Sequence, residues 1–210
     1  MLLDAKCRKC RAVGEKLFLK GERCYSPKCN LLRKPTKPGA HKNKKRRFRG
    51  TLSEYGRQTL EKQKVKLTYG INERQLRRYF KEANQKRGST IEILFRKLEM
   101  RLDNIVFRLG FAPSRSIARQ LVSHGHFSVD GRPVRIPSFE LKTGSAIKVR
   151  PVSIEKGPFK NIKDNLKKYQ VPSFLSLDPE KLEGVVKSEP SMVELKMPFN
   201  LSLIVEFYSK

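Results

Sequence analysis

The chain has 210 residues, with 47 Lys and Arg against 20 Asp and Glu, and a formal net charge of +27. That length supports one or two domains with a real core, while no run approaches the roughly 18 consecutive apolar residues of a membrane span and MLLDAKCRKC lacks an apolar signal core. A charge this large repels itself in a compact fold, so the composition predicts a soluble intracellular protein whose normal partner is a polyanion, and nucleic acid ahead of a membrane surface.

The charge is unevenly placed. Residues 1–50 hold 17 basic and 3 acidic side chains, whereas residues 151–210 hold 9 and 8. All four cysteines lie in the basic segment, as Cys7, Cys10, Cys24 and Cys29 in the spacing C-x2-C-x13-C-x4-C. Two close pairs separated by a segment long enough to fold back can surround one tetrahedral ion. Gly21 and Pro27 supply turns, and the neighbouring cations favour thiolates. Metal ligation is therefore expected ahead of disulfides or free thiols, with zinc as the first choice and an iron-sulfur cluster as the alternative, in a structural role.

Residues 31–50 follow with two prolines, two glycines and little apolar periodicity, which predicts a basic arm. Its run Lys44, Lys45, Arg46, Arg47 and Arg49, interrupted by Phe48, suits threading along phosphates. A helix is expected from Ser53 to about Gly70. Asn72 then caps a clearer one, with Leu76, Tyr79, Phe80 and Ala83 on its apolar stripe, Arg74, Arg77, Arg78 and Lys81 around the rest, and Gly88 as its stop. A third helix is expected from near Ser89, with one long buried stripe from Ile91 through Leu94, Leu98, Leu102 and Ile105 to Leu109.

After Pro113 the texture changes. Ser114 is expected to cap a helix whose Ile117, Ala118, Leu121 and Val122 face a core, while Arg115 and Arg119, four apart, share the other side. Gly125 ends it. Alternation across Asp130-Gly131 predicts a hairpin with strands near Phe127–Val129 and Val134–Ile136, and SAIKVRP predicts a further strand. The terminal NLSLIVEFYSK reads as strand or helix, since Ile204-Val205 favours a strand.

The stretch RLDNIVFRLGFAPSRSIARQLVSHGHFSVDGRPV is similar to the RNA-binding domain named after small-subunit ribosomal protein S4. KGERCYSPKC and YGINERQLRRYF upstream, with FLSLD and EFYSK downstream, extend the resemblance over the whole chain, to the bacterial-type, four-cysteine, metal-binding form of the S4 (uS4) family. The resemblance implies an α+β protein: a metal knuckle and basic arm over residues 1–44, a discontinuous helical domain over 45–98 with 164–210, and an inserted S4 RNA-binding domain of two helices and a small antiparallel sheet over 99–163. It implies a short terminal helix. It also implies a structural constituent of the small ribosomal subunit in the cytoplasm, a primary binder of 16S-type rRNA that nucleates assembly of the 5′ domain and contributes to translational accuracy. Ribosomal protein five of that subunit is the implied neighbour, near the path by which mRNA enters.

An A-form duplex hides its base edges, so shape, phosphates and 2′-hydroxyls are what such a protein reads, and arginine suits that task. Carried onto this chain, the family pattern makes Arg115, Arg119, His124, His126 and Arg132 one contact face, and Arg74, Arg77 and Arg78 with the Lys44–Arg49 arm another. The rival class is an RNA-modifying enzyme, because Arg101-Leu102-Asp103 echoes the triplet around the catalytic aspartate of pseudouridine synthases. No separate catalytic domain fits in the remaining chain, and no phosphate-cradling glycine loop or nucleophile elbow occurs. The expectation is a binder, not an enzyme.

Overall fold

The structure, a computed structural model, describes residues 5–39, 52–155, 157–159, 162–167, 169–195 and 197–209. In chain order the helices are α1 (Lys6–Val13), α2 (Glu22–Tyr25), α3 (Asn30–Arg33), α4 (Glu54–Tyr69), α5 (Glu73–Asn84), α6 (Thr90–Glu99), α7 (Leu102–Arg108) and α8 (Arg115–Ser123). Strands β1 (Phe127–Val129), β2 (Arg132–Pro133) and β3 (Ala146–Val149) come next. Helix α9 (Pro151–Ile154), a 3-10 turn (Gly157–Phe159), helix α10 (Ile162–Lys167), strands β4 (Leu175–Asp178) and β5 (Glu183–Val186), and helix α11 (Leu201–Ser209) complete the described elements. They form two compact units, Met1–Lys86 with Met197–Lys210, and Arg87–Lys196.

In the first unit the ends of the helices follow from capping chemistry. The Ser53 hydroxyl accepts from Gly56 N–H at 3.2 Å to start α4, and Gly70, at φ +64°, closes it in the left-handed conformation. Asn72 and Gln75 exchange side-chain and backbone hydrogen bonds, a capping box that starts α5. Val65, Tyr69, Ile71, Leu76, Phe80 and Ala83 are buried with Leu201 and Ile204 of the last helix. The 201–209 segment is a helix because Leu201 and Ile204, three apart, reach that core together. Phe207 and Tyr208 extend the same packing by stacking on Tyr55 and Phe80. That packing outweighs the strand preference of Ile204-Val205.

The second unit holds a five-stranded antiparallel sheet of order β2-β1-β3-β5-β4. Pairing of Ala146 with Val185 and Lys148 with Glu183 puts the FLSLD region and its return strand beside the hairpin. Residues 164–196, grouped by sequence with the helical domain, therefore lie in the unit of the RNA-binding fold, as do residues 87–98. A nonlocal ladder decides this, and no local pattern encodes it.

Four further expectations are corrected. The single helix from Ser89 to Leu109 is broken at Met100-Arg101. Leu102 N–H donates to the Phe139 carbonyl at 2.9 Å, Asp103 N–H to that of Pro137 at 3.1 Å, and Leu141 N–H to that of Met100 at 2.9 Å. These loop bonds replace helical ones, so Asp103 sits in the first turn of α7. The second hairpin strand is Arg132–Pro133; Val134 N–H still donates to the Phe127 carbonyl at 3.2 Å, but Arg135 and Ile136 lie outside any strand. Ile117 is exposed at 37%, whereas Ala118, Leu121 and Val122 are buried as expected. Ser114 occupies the cap position of α8, but its hydroxyl meets Ser116 Oγ at 3.1 Å instead of the helix backbone.

Candidate nucleic-acid interface

The α8–turn–hairpin segment, residues 114–133, carries Arg115, Arg119, His124, His126 and Arg132 on one continuous stretch of the second unit. Gly125 takes φ +75°, which lets the chain reverse from α8 into β1, and Arg135 packs directly against its open side. Arg150, at the end of β3, donates to the Gly125 carbonyl at 3.0 Å and through its own N–H to the His126 carbonyl at 2.9 Å. His126 Nδ1 lies 2.9 Å from Ser153 Oγ, and the ring edges onto Phe159. The turn is thus clamped by β3 and α9, and the rings of His124 and His126 stand 6.1 Å apart on it. His124 and Arg132 are exposed, and Arg115, Arg119 and His126 are half-buried.

Arg115 is tightly held. Its Nε donates to Asn104 Oδ1 at 2.8 Å and its guanidinium covers the Phe107 ring at 4.6 Å. Asn104 in turn donates to the Glu99 carbonyl and carboxylate, both at 2.8 Å, and Arg108 binds the two oxygens of Glu99 at 3.1 Å. Arg108, Arg135, Arg150, Asn104 and Ser153 hold the candidate site residues or the turn between them, and sequence reasoning missed them. For Arg150 a signal existed: alternation along SAIKVRP puts it opposite buried Ile147 and Val149.

In the first unit Arg74, Arg77 and Arg78 are exposed on α5, opposite Leu76, Phe80 and Ala83. Arg78 Nε donates to Glu82 at 2.7 Å, a surface pair at i,i+4 that raises the arginine pKa. Glu73 anchors the face from below. Burial disfavours its ionisation, but hydrogen bonds from Tyr208 (2.6 Å), Lys66 (2.9 Å) and Lys62 (3.2 Å) outweigh that and bring the carboxyl down to about 2. Burial and the Glu73 carboxylate push the Tyr208 phenol up. Lys44, Lys45, Arg46, Arg47 and Arg49 lie outside the described residues.

Asp103 has no freedom to act on a substrate. It is 3% exposed, and Arg101, itself 1% exposed, grips both carboxylate oxygens at 3.0 and 2.7 Å. The RLD triplet is a buried ion pair in this fold.

Cys10, Cys24 and Cys29 are buried, Cys7 is half-buried, and none forms a disulfide. Burial pushes the Cys10 thiol up, a hydrogen bond with the Leu17 backbone opposes the rise, and charge on Cys24, Cys7 and Cys29 adds to it. Lys20 N–H points at Cys24 Sγ at 3.4 Å, as in metal knuckles. Among the described residues, no three His, Cys, Asp or Glu side chains close into a metal-holding cluster.

A clamped turn, guanidiniums fixed in plane and a surplus of cations together define a basic nucleic-acid-binding protein. Residues 2–99 match the family described as the ribosomal protein S4/S9 N-terminal domain, and residues 100–147 match the S4 domain. The chain is 49% identical over 207 residues to small ribosomal subunit protein uS4A of Alkaliphilus metalliredigens, covering 99% of this chain and 98% of that protein. Against uS4 of Syntrophomonas wolfei it is 47% identical over 207 residues, again 99% and 98% of the two chains. Against uS4 of Caldicellulosiruptor bescii it is 50% identical over 204 residues, 97% and 96%. The chain belongs to the small ribosomal subunit protein uS4 family, a family of structural ribosomal proteins with no enzymatic role.

Proposed function

We propose that this chain binds small-subunit rRNA as a structural constituent of the ribosome, docking the α8–turn–hairpin face and the exposed arginines of α5 on a folded RNA junction. The observation that carries this is the placement of Arg115 and His126, each held by a side-chain contact, with Arg119 and Arg132 along the same turn that Arg150 and Ser153 clamp. Rigid guanidiniums lose little entropy on meeting phosphate and suit recognition by shape. Early binding to the 5′ domain of 16S-type rRNA, nucleation of assembly there, and contact with ribosomal protein five with an effect on accuracy complete the proposal. They rest on family membership and the whole-length match. The Lys44–Arg49 arm is proposed to follow phosphates. Hydroxyl-radical footprinting of a 5′-domain transcript with the full chain tests the proposal: protection confined to one multi-helix junction supports it, and uniform protection of any duplex rejects it.

The four cysteines are proposed to hold one zinc ion, with an iron-sulfur cluster as the alternative. The C-x2-C-x13-C-x4-C spacing, the burial of Cys10, Cys24 and Cys29 and the N–H directed at Cys24 support this. When bound, the ion stabilises the fold of residues 5–39 and takes no part in chemistry. Metal analysis of anaerobically purified protein decides the element: one zinc per chain supports the first choice, and iron with acid-labile sulfide the second.

A further inference from the structure

The end of α6 and the start of α7 bury an unusual amount of polarity. Glu99 is 0% exposed and Asn104 1% exposed. A buried ion pair such as Glu99–Arg108 is weak evidence for stability, because apolar side chains of similar volume do as well or better. Its geometry points elsewhere. Both Asn104 contacts to Glu99 come from Nδ2, whose two protons meet a carbonyl and a carboxylate, so the amide can turn only one way. Its Oδ1 is thereby aimed at Arg115 Nε. Glu99 cannot rotate either, because Arg108 occupies both of its oxygens. The guanidinium of Arg115 is then fixed by an in-plane bond to Asn104 and by the face of Phe107 beneath it.

We propose that Glu99 and Asn104 are positioning residues that preset the plane of Arg115 for an RNA phosphate, through the relay Arg108–Glu99–Asn104–Arg115. The inference rests on the reading that Arg115 touches RNA and adds how its aim is set. Bidentate arginine–phosphate bonding requires the plane as well as the charge. A relay anchored 0–1% exposed lies out of reach of competing water, which a surface partner of Arg115 does not.

The test is a double-mutant cycle in the full chain, with Asn104→Ala and Arg115→Ala, measuring affinity for a 5′-domain rRNA transcript across a salt series. Asn104→Ala alone is expected to weaken binding about tenfold, and Arg115→Ala to weaken it at least as much and lower the salt slope by about 1. In the Arg115→Ala background, Asn104→Ala is expected to cost nothing further. An equal loss in both backgrounds overturns the positioning role, because general damage does not depend on Arg115. If Arg115→Ala changes neither affinity nor slope, the contact reading itself falls, and the relay with it. Should Asn104→Ala fold poorly, Glu99→Gln keeps the shape, and the NMR signal of the Arg115 Nε–H provides the second readout. Faster exchange of that proton with an unaltered backbone spectrum supports the relay, and an unchanged signal overturns it.

Discussion

Replacing Asp103 with Ala strips a bidentate carboxylate from a guanidinium that is 1% exposed. Arg101 is fixed on both sides by loop bonds: Leu102 and Asp103 donate to the Phe139 and Pro137 carbonyls, and Leu141 donates to Met100. The charged head therefore cannot swing to water without opening the α6–α7 break. Removing one partner of such a pair costs on the order of 3 kcal/mol, whereas removing both in favour of apolar groups is close to neutral. For a domain of about 100 residues each kcal/mol moves the transition by about 4 °C or more, so Asp103→Ala is expected to lower Tm by about 12 °C or more. Thermal unfolding followed by circular dichroism measures this, with the paired variant Arg101→Met, Asp103→Leu expected to regain most of the loss. A loss below about 1 kcal/mol for Asp103→Ala, or a paired variant no better than the single one, refutes the buried-pair account.

Glu73, held near 2 in the folded state against an ordinary value of 4.5, binds fewer protons folded than unfolded within that window. Its contribution is therefore complete above pH 4.5 and lost as pH falls toward 2; discounted for its 45% exposed side chain, it amounts to about 1 kcal/mol. Glu73→Gln is expected to flatten that acid limb in a Tm-versus-pH series, and an unchanged limb contradicts the assignment. At Gly184 an added Cβ would meet Leu109 Cδ2 at 2.6 Å, so Gly184→Ala is expected to cost about 1–3 kcal/mol in urea denaturation, with wild-type stability as the contrary result. Chelation of the proposed zinc is expected to abolish the helical signal of residues 5–39 and to expose all four thiols to a thiol reagent. Retention of both would show that the segment folds without metal.

What the chain reveals by itself is mostly local. Ser53, Asn72 and Gly70 announce helix ends through their own side chains or lack of one, and Asp130-Gly131 sets its hairpin because left-handed φ values of +50° and +79° suit those two residues. The break at Met100-Arg101 is hidden because the apolar stripe runs on through Leu98, Leu102 and Ile105; only the carbonyls of Pro137 and Phe139, far along the chain, reveal it. The β3–β5 ladder is hidden for the same reason. At the interface, the arginines of α8 are visible as a charge pattern, but the restraint on Arg115 is not. Asn104 and Glu99 read as ordinary polar positions in a helix, and Arg150 and Ser153 matter through contacts 25 and 27 residues distant.

The salt dependence of binding to a 5′-domain rRNA transcript bears most directly on the central claim, that the cations of a clamped turn and the exposed arginines of α5 meet RNA phosphates. The logarithm of affinity is expected to fall linearly with that of salt concentration, with a slope reporting several phosphate contacts, about one of which disappears with each of Arg115→Ala, Arg119→Ala and Arg77→Ala. A slope near zero, or one that none of these substitutions changes, contradicts it.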